Sequence, residues 1–177
     1  MRKKLICLVG LPGVGKTTVG KDLANALKYQ FIDLDAKIEQ TQGMSIKELF
    51  EKHGEDGFRS LEHIVLKAVL SSLEENSGTV LSCGGGTPCF QNNMALLKIG
   101  GVVVYLEEDL HTIALHLEES NAKKVERPMF KGLKTAMILH ELWLERRSIY
   151  EQSHVITGIA SVYNSHLFTN RLDLFTK

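Results

Sequence analysis

The chain has 177 residues, 44% of them apolar and 24% charged, which suits one domain of ordinary size with a real core and gives no sign of disorder. Lysine plus arginine equals aspartate plus glutamate, 21 each, so there is no basic excess of the kind that marks a nucleic-acid binder, and an acidic ligand has to be met by a few local cations. Three sparse cysteines without metal-ligand spacing (Cys7, Cys83 and Cys89) point to reduced thiols and a cytoplasmic setting.

The N-terminus, Met1 to Val9, looks superficially like a signal peptide, but its apolar run is too short and enters a glycine loop without a cleavage region. No stretch approaches the roughly 20 apolar residues of a membrane span. The run Leu5 to Val9, stopped by Gly10, is expected to be a strand buried on both faces. Lys16 to Lys28 reads as a helix with Val19, Leu23 and Ala26-Leu27 on one side, and Phe31 to Leu34 as a second short strand. Helices are expected over Ser45 to Lys52 and Gly57 to Leu73, the latter with Phe58, Leu61, Val65, Ala68 and Val69 at helical spacing. Thr79 to Ser82 is a third strand, ended by Gly84-Gly85-Gly86, and Val102 to Leu106 a fourth. A helix over Asp109 to Glu118, capped by Asp109, a long helix over Lys134 to Glu151 and a short strand over Val155 to Thr157 complete the pattern. Alternating strands and helices imply a parallel sheet covered on both faces, with ligands gathering at the carboxyl ends of the strands. The most distinctive segments sit at those ends: a glycine loop after the first strand, two aspartates at the second, and a glycine triplet after the third.

Gly10-Leu11-Pro12-Gly13-Val14-Gly15-Lys16-Thr17 matches the P-loop pattern completely, between an apolar strand and a helix. In that arrangement backbone amides curl around phosphate oxygens and the helix N-terminus faces the same anion. Lys16 can reach the β- and γ-phosphates of ATP and the Thr17 hydroxyl can ligate Mg²⁺. In Phe31-Ile32-Asp33-Leu34-Asp35, period-two alternation is expected to place both carboxylates on one side of an extended segment. Asp33, nearer the P-loop, could hold Mg²⁺ through water, and Asp35, further out, could orient an acceptor hydroxyl and take its proton. The alternative is a polar strand end, or Asp35 capping a helix from Ala36.

Arg59 borders the apolar stripe of its helix, and Arg146 and Tyr150, four apart, share a helix face. Two guanidinium groups converging on a cleft would suit a substrate carboxylate, although either could be an ordinary ion-pair arginine. Arg127-Pro128 lies in a polar stretch without apolar periodicity, which is either a solvated loop or a lid that closes over ATP and brings a cation to the transferring group. The glycine triplet is either a flexible turn or a place of close backbone approach to a ligand. The seven histidines show no metal spacing and read as structural or surface residues, and Cys83 as a packing residue.

In order, these features are the P-loop through Thr18, Phe31 to Asp35, Gly57-Phe58-Arg59 with Glu62, Cys83 to Gly86, Arg127-Pro128 and Glu145 to Tyr150. Taken together, the chain resembles the shikimate kinase family over almost all of its length. The resemblance implies a single domain over 1–177 with a three-layer αβα P-loop kinase fold and a five-stranded parallel sheet of order 2-3-1-4-5. It also implies a lid at about 118–133, a substrate-binding helical segment at about 36–64, and ATP- and Mg²⁺-dependent phosphorylation of the shikimate 3-hydroxyl in aromatic amino acid biosynthesis. Catalysis would fall to Asp35, Lys16 and Arg127. ATP would lie on Gly13, Val14, Gly15, Lys16, Thr17, Thr18 and Arg127, and shikimate on Asp35, Arg59, Gly85, Gly86 and Arg146. Mg²⁺ would be held by Thr17 with Asp33 in its outer shell. Arg146 is preferred to Arg147 because the family places its arginine four residues before the tyrosine. The expected protein is a cytoplasmic monomer without nucleic-acid or membrane partners.

The chain departs from the family in having Met129-Phe130 after the lid arginine, and no arginine from Leu115 to Ser120, where many members stack one on adenine. Competing readings are a kinase of another small hydroxy acid such as gluconate, a small GTPase, and a homologue that binds without turnover.

Overall fold

A computed structural model of the chain describes residues 4–74, 77–122 and 135–163. Five strands form one sheet: β1 (Leu5–Val9), β2 (Gln30–Asp33), β3 (Thr79–Ser82), β4 (Val102–Glu107) and β5 (Val155–Gly158). Their order is β2-β3-β1-β4-β5 and every pairing is parallel, as expected. Successive residues of a strand point to opposite faces, and all five residues of β1 are buried. Both faces of the sheet are therefore covered. The helices are α1 (Lys16–Leu27), α2 (Leu34–Gln42), α3 (Ile46–Ser72), α4 (Asn93–Gly100), α5 (Leu110–Ala122), α6 (Thr135–Tyr150) and α7 (Ile159–Tyr163).

The first strand ends where Gly10 turns the chain, and α1 leaves the P-loop from Gly15, which has a left-handed φ of 94°. Val19, Leu23 and Ala24 bury the inner side of α1. The long helix α3 starts with a capping box, in which Ser45 and Glu48 satisfy each other's backbone amides, and breaks at Gly54, where φ is 66° and ψ −175°. That break corresponds to the gap expected between two helices. Asp109 caps α5 by accepting from the amides of His111 and Thr112.

Two features differ from the expectation. The second strand stops at Asp33, and Leu34 and Asp35 already belong to α2. Asp33 is the N-cap of that helix, accepting from the amides of Asp35 and Ala36 at 3.1 and 3.3 Å. The two carboxylates thus do not share a side of one strand, and it is Asp33 that caps, not Asp35. Satisfying two helix-end amides outweighs two further residues of extension at the sheet edge. The other difference lies between β3 and β4, where a 3-10 turn (Thr87–Cys89) and α4 were not anticipated.

Candidate functional site

A cleft of about 990 Å³ opens at the carboxyl ends of β1, β2 and β3. Every described residue that the family resemblance assigned to catalysis, ATP, substrate or metal borders it: the P-loop from Gly13 through Thr18, Asp33, Asp35, Arg59, Gly85, Gly86 and Arg146. Arg127 and most of the lid expected at 118–133 lie outside the described residues; the first residues of that range belong to α5.

At one end, Gly13 and Gly15 take φ values of 86° and 94°, which lets the loop curl toward the cleft. No side chain caps the N-terminus of α1, so its first amides open onto the same space. Lys16, only 8% exposed, donates to the carbonyls of Gly10 and Leu11 at 2.9 and 2.8 Å and so braces the loop from within. The Thr17 hydroxyl donates to Oδ2 of Asp33 at 2.8 Å, while Oδ1 of Asp33 holds the first turn of α2. A hydroxyl beside a carboxylate next to a phosphate cradle is a hard-oxygen donor set of the kind that suits Mg²⁺, with the remaining ligands coming from phosphates and water. Among the described residues, no group of three or more histidine, cysteine or carboxylate side chains could hold a metal ion without such help.

Asp35 occupies the middle of the cleft. Burial raises its pKa, the neighbouring Glu62 and Asp33 carboxylates raise it further, and Lys16 and Arg59 oppose them; the result is pushed up to about 6. A carboxylate tuned in this way is ionised at neutral pH and basic enough to accept a proton from a hydroxyl.

The far end is built around Arg59. Its guanidinium pairs with Oε2 of Glu62 at 2.7 Å and lies 3.7 Å from the exposed Glu55. It stacks 5.3 Å from the ring of Phe58 and 5.9 Å from that of Phe50, which lie against each other. Glu62 is fully buried, and its other oxygen accepts from the Thr87 hydroxyl at 2.5 Å. Arg146, on α6, is buried on the same side. One turn later Tyr150 is also buried and donates to the carbonyl of Gly85 at 2.5 Å. Burial lifts the Tyr150 phenol well above its usual range against the pull of the nearby Arg146 charge. The glycine turn fits tightly between these groups: a Cβ on Gly85 would come within 2.8 Å of Pro12, and one on Gly86 within 2.3 Å of the Arg59 guanidinium. The triplet is therefore a place of close approach, not a slack turn.

Sequence reasoning gave no separate role to Glu62, although its spacing three residues after Arg59 on a helix is the signal of such a pair. His116, an exposed residue of α5, also borders the cleft. Cys83 is buried and packs, as expected.

The cleft thus joins an anion cradle and a hard-metal donor pair to a tuned carboxylate and two guanidinium groups, one buried and one partly buried. Comparison with known proteins agrees with this chemistry. Residues 12–171 match the family model described as shikimate kinase. A curated shikimate kinase from a Sulfurihydrogenibium species is 38% identical over 152 residues, 86% of each chain. A crystal structure of shikimate kinase from Bacteroides thetaiotaomicron superposes with a TM-score of 0.80 at 34% identity, covering 87% of this chain and 85% of that one. The structure of shikimate kinase from Acinetobacter baumannii in complex with shikimate gives a TM-score of 0.82 at 31% identity over 96% of both chains.

Proposed function

The chain belongs to the shikimate kinase family, and we propose that its cleft transfers the γ-phosphoryl group of ATP to the 3-hydroxyl of shikimate, giving shikimate 3-phosphate and ADP in aromatic amino acid biosynthesis. The observation that carries this reading is the convergence, in one cleft, of a complete P-loop with Asp35, Arg59 and Arg146.

The P-loop amides and the N-terminus of α1 take the phosphates, and Lys16 adds a cation beside them. At the other end Arg59 and Arg146 take the substrate carboxylate, whose two oxygens match the planar guanidinium fork. Glu62 and the aromatic shelf of Phe50 and Phe58 hold Arg59 ready for it. The backbone of Gly85 and Gly86 borders the ring of the substrate. With both ends fixed, the hydroxyl lies between Asp35 and the γ-phosphate. Its oxygen forms the new bond to phosphorus, the bond from phosphorus to the ADP oxygen breaks, and the proton passes to Asp35. Thr17 would bind Mg²⁺ directly and Asp33 through water. When bound, the ion neutralises the charge on the phosphate oxygens. Arg127 is assigned to the phosphates from the lid. The reading includes a cytoplasmic monomer acting on a small molecule, without nucleic-acid or membrane partners. Among the described residues no helix is long and apolar enough to cross a membrane.

The test is ADP formation from Mg-ATP with shikimate, with gluconate and with no acceptor. Turnover with shikimate alone is expected. Turnover with gluconate instead, or ATP binding with no turnover on any acceptor, would overturn the assignment.

A further inference from the structure

Behind the acceptor end of the cleft lies a run of direct hydrogen bonds that ends on Arg59 and begins outside the cavity. Asn93, the first residue of α4, is fully buried and does not border the cleft. Its Nδ2 donates to the carbonyl of Thr87 at 2.8 Å. Its Oδ1 therefore faces Nδ1 of His63, 2.6 Å away, and that nitrogen must carry the proton and donate. The Thr87 hydroxyl in turn donates to Oε1 of Glu62, whose Oε2 holds Arg59. Thr87, Asn93 and Glu62 are all fully buried, so water does not stand in for a lost partner without a cost.

Both oxygens of Glu62 are engaged, one by Thr87 and one by Arg59. The carboxylate cannot turn without breaking one of the two bonds. Thr87 is itself held from two directions: its amide donates to the Gly84 carbonyl at 3.2 Å, and its carbonyl accepts from Asn93. The position of the Arg59 guanidinium is thus set from α4, through a residue that substrate does not touch.

We propose that Asn93 and His63 are positioning residues for the carboxylate grip of Arg59, acting through Thr87 and Glu62. This rests on the reading of Arg59 as a carboxylate ligand. A guanidinium fork binds two oxygens only when its angle is right, so loosening the network weakens shikimate binding and leaves the phosphate end intact.

The test uses steady-state kinetics on the whole chain for Asn93→Ala, His63→Leu, His63→Gln and Arg59→Lys, the last of which keeps a cation beside Glu62. Asn93→Ala is expected to raise the shikimate KM about tenfold, the loss of one buried hydrogen bond, with the ATP KM within about twofold and kcat little changed. His63→Leu raises the same constant by a smaller factor, and His63→Gln, which restores a donor, returns it toward the wild-type value. Should Asn93→Ala fail to fold, the two His63 variants carry the test. In the Arg59→Lys background Asn93→Ala adds little, because both act through one group. Equal increases in the KM for ATP and shikimate, or full additivity with Arg59→Lys, would overturn the proposal. So would wild-type shikimate KM in Asn93→Ala and His63→Leu while Arg59→Lys is impaired, and in that case the carboxylate reading survives. An unchanged KM in Arg59→Lys would overturn both.

Discussion

The Tyr150 hydroxyl and the Gly85 carbonyl are joined by a 2.5 Å hydrogen bond, which ties α6 to the glycine turn one helical turn from Arg146. The phenol is fully buried, so the bond spans the acceptor end of the cleft without competition from water. Tyr150→Phe removes the donor, leaves the carbonyl without it and keeps the ring that packs on Tyr105. The expected result is a loss of about 1 kcal/mol in stability and a shikimate KM raised about three- to fivefold, with ADP affinity unchanged. Denaturant unfolding and separate titrations with shikimate and ADP check it.

Gly86→Ala is expected to separate binding from folding. Its φ of −90° suits any residue, so the backbone is not strained. The new methyl would instead meet the Arg59 guanidinium, the movable end of a long side chain. Moving it strains the pair with buried Glu62, so thermal unfolding should fall by a few degrees, whereas shikimate affinity falls by about tenfold or more. A stable variant with normal shikimate affinity would contradict the placement of Arg59 against this turn.

Asp35 governs the pH profile. With its carboxyl pushed up to about 6, the basic form is lost as pH falls through that value. At saturating Mg-ATP, kcat/KM for shikimate should be level on the alkaline side and fall toward acid pH as this carboxylate takes up its proton, approaching tenfold per unit. Asp35→Asn should lower turnover by at least about 100-fold while ADP still binds.

The same group has a signature in stability, read on the protein without ligand or metal. Folded Asp35 holds its proton up to about pH 6, and the unfolded chain only to its ordinary 3.8. Folding therefore takes up a proton between those values, and this contribution to stability falls as pH rises across that window and is flat outside it. Asp35→Asn removes the slope and should be at least as stable as the parent at pH 7, a site residue whose loss abolishes activity without weakening the fold. Unfolding free energies at pH 4, 5, 6 and 7 for both proteins check the sign.

Thr17→Val keeps the shape of the residue and removes its oxygen. In the parent protein, adding Mg²⁺ should tighten ATP binding measurably, and in Thr17→Val that gain should largely disappear while metal-free affinity stays within a few-fold. Equal responses to Mg²⁺ would remove Thr17 from the metal site.

Much of this was legible from residue order alone. The unbroken apolar runs of β1 and β4 and the glycine that stops β1 are strong local signals, and they set the sheet and the phosphate cradle. The arginines were legible only as candidates, because their convergence depends on how α3 and α6 approach the sheet. Asp35 was assigned the right cavity for a wrong reason: period-two alternation extended the strand too far, and the capping bonds of Asp33, which end it, look the same in sequence as a polar strand end. The buried Leu34 and Ile38, four apart, were the signal for α2. The short α4 has no side-chain cap at Asn92 to announce it and only eight residues in which to show a period. The Thr87–Glu62 contact joins residues 25 apart, beyond the reach of any local pattern.

Asp33 divides its carboxylate between two neighbours. One oxygen faces the Thr17 hydroxyl at the phosphate end, and the other gathers the amides that start the helix carrying Asp35. The donor and acceptor halves of the cleft are consequently spliced at a single side chain, two residues from the base. A change at the Thr17 oxygen is passed to the turn that aims Asp35 without crossing any other residue. An amide in place of the carboxylate could keep the cap with its oxygen, but its nitrogen would then donate to the Thr17 hydroxyl and occupy a lone pair there, so two accepting oxygens are themselves part of how the site is specified.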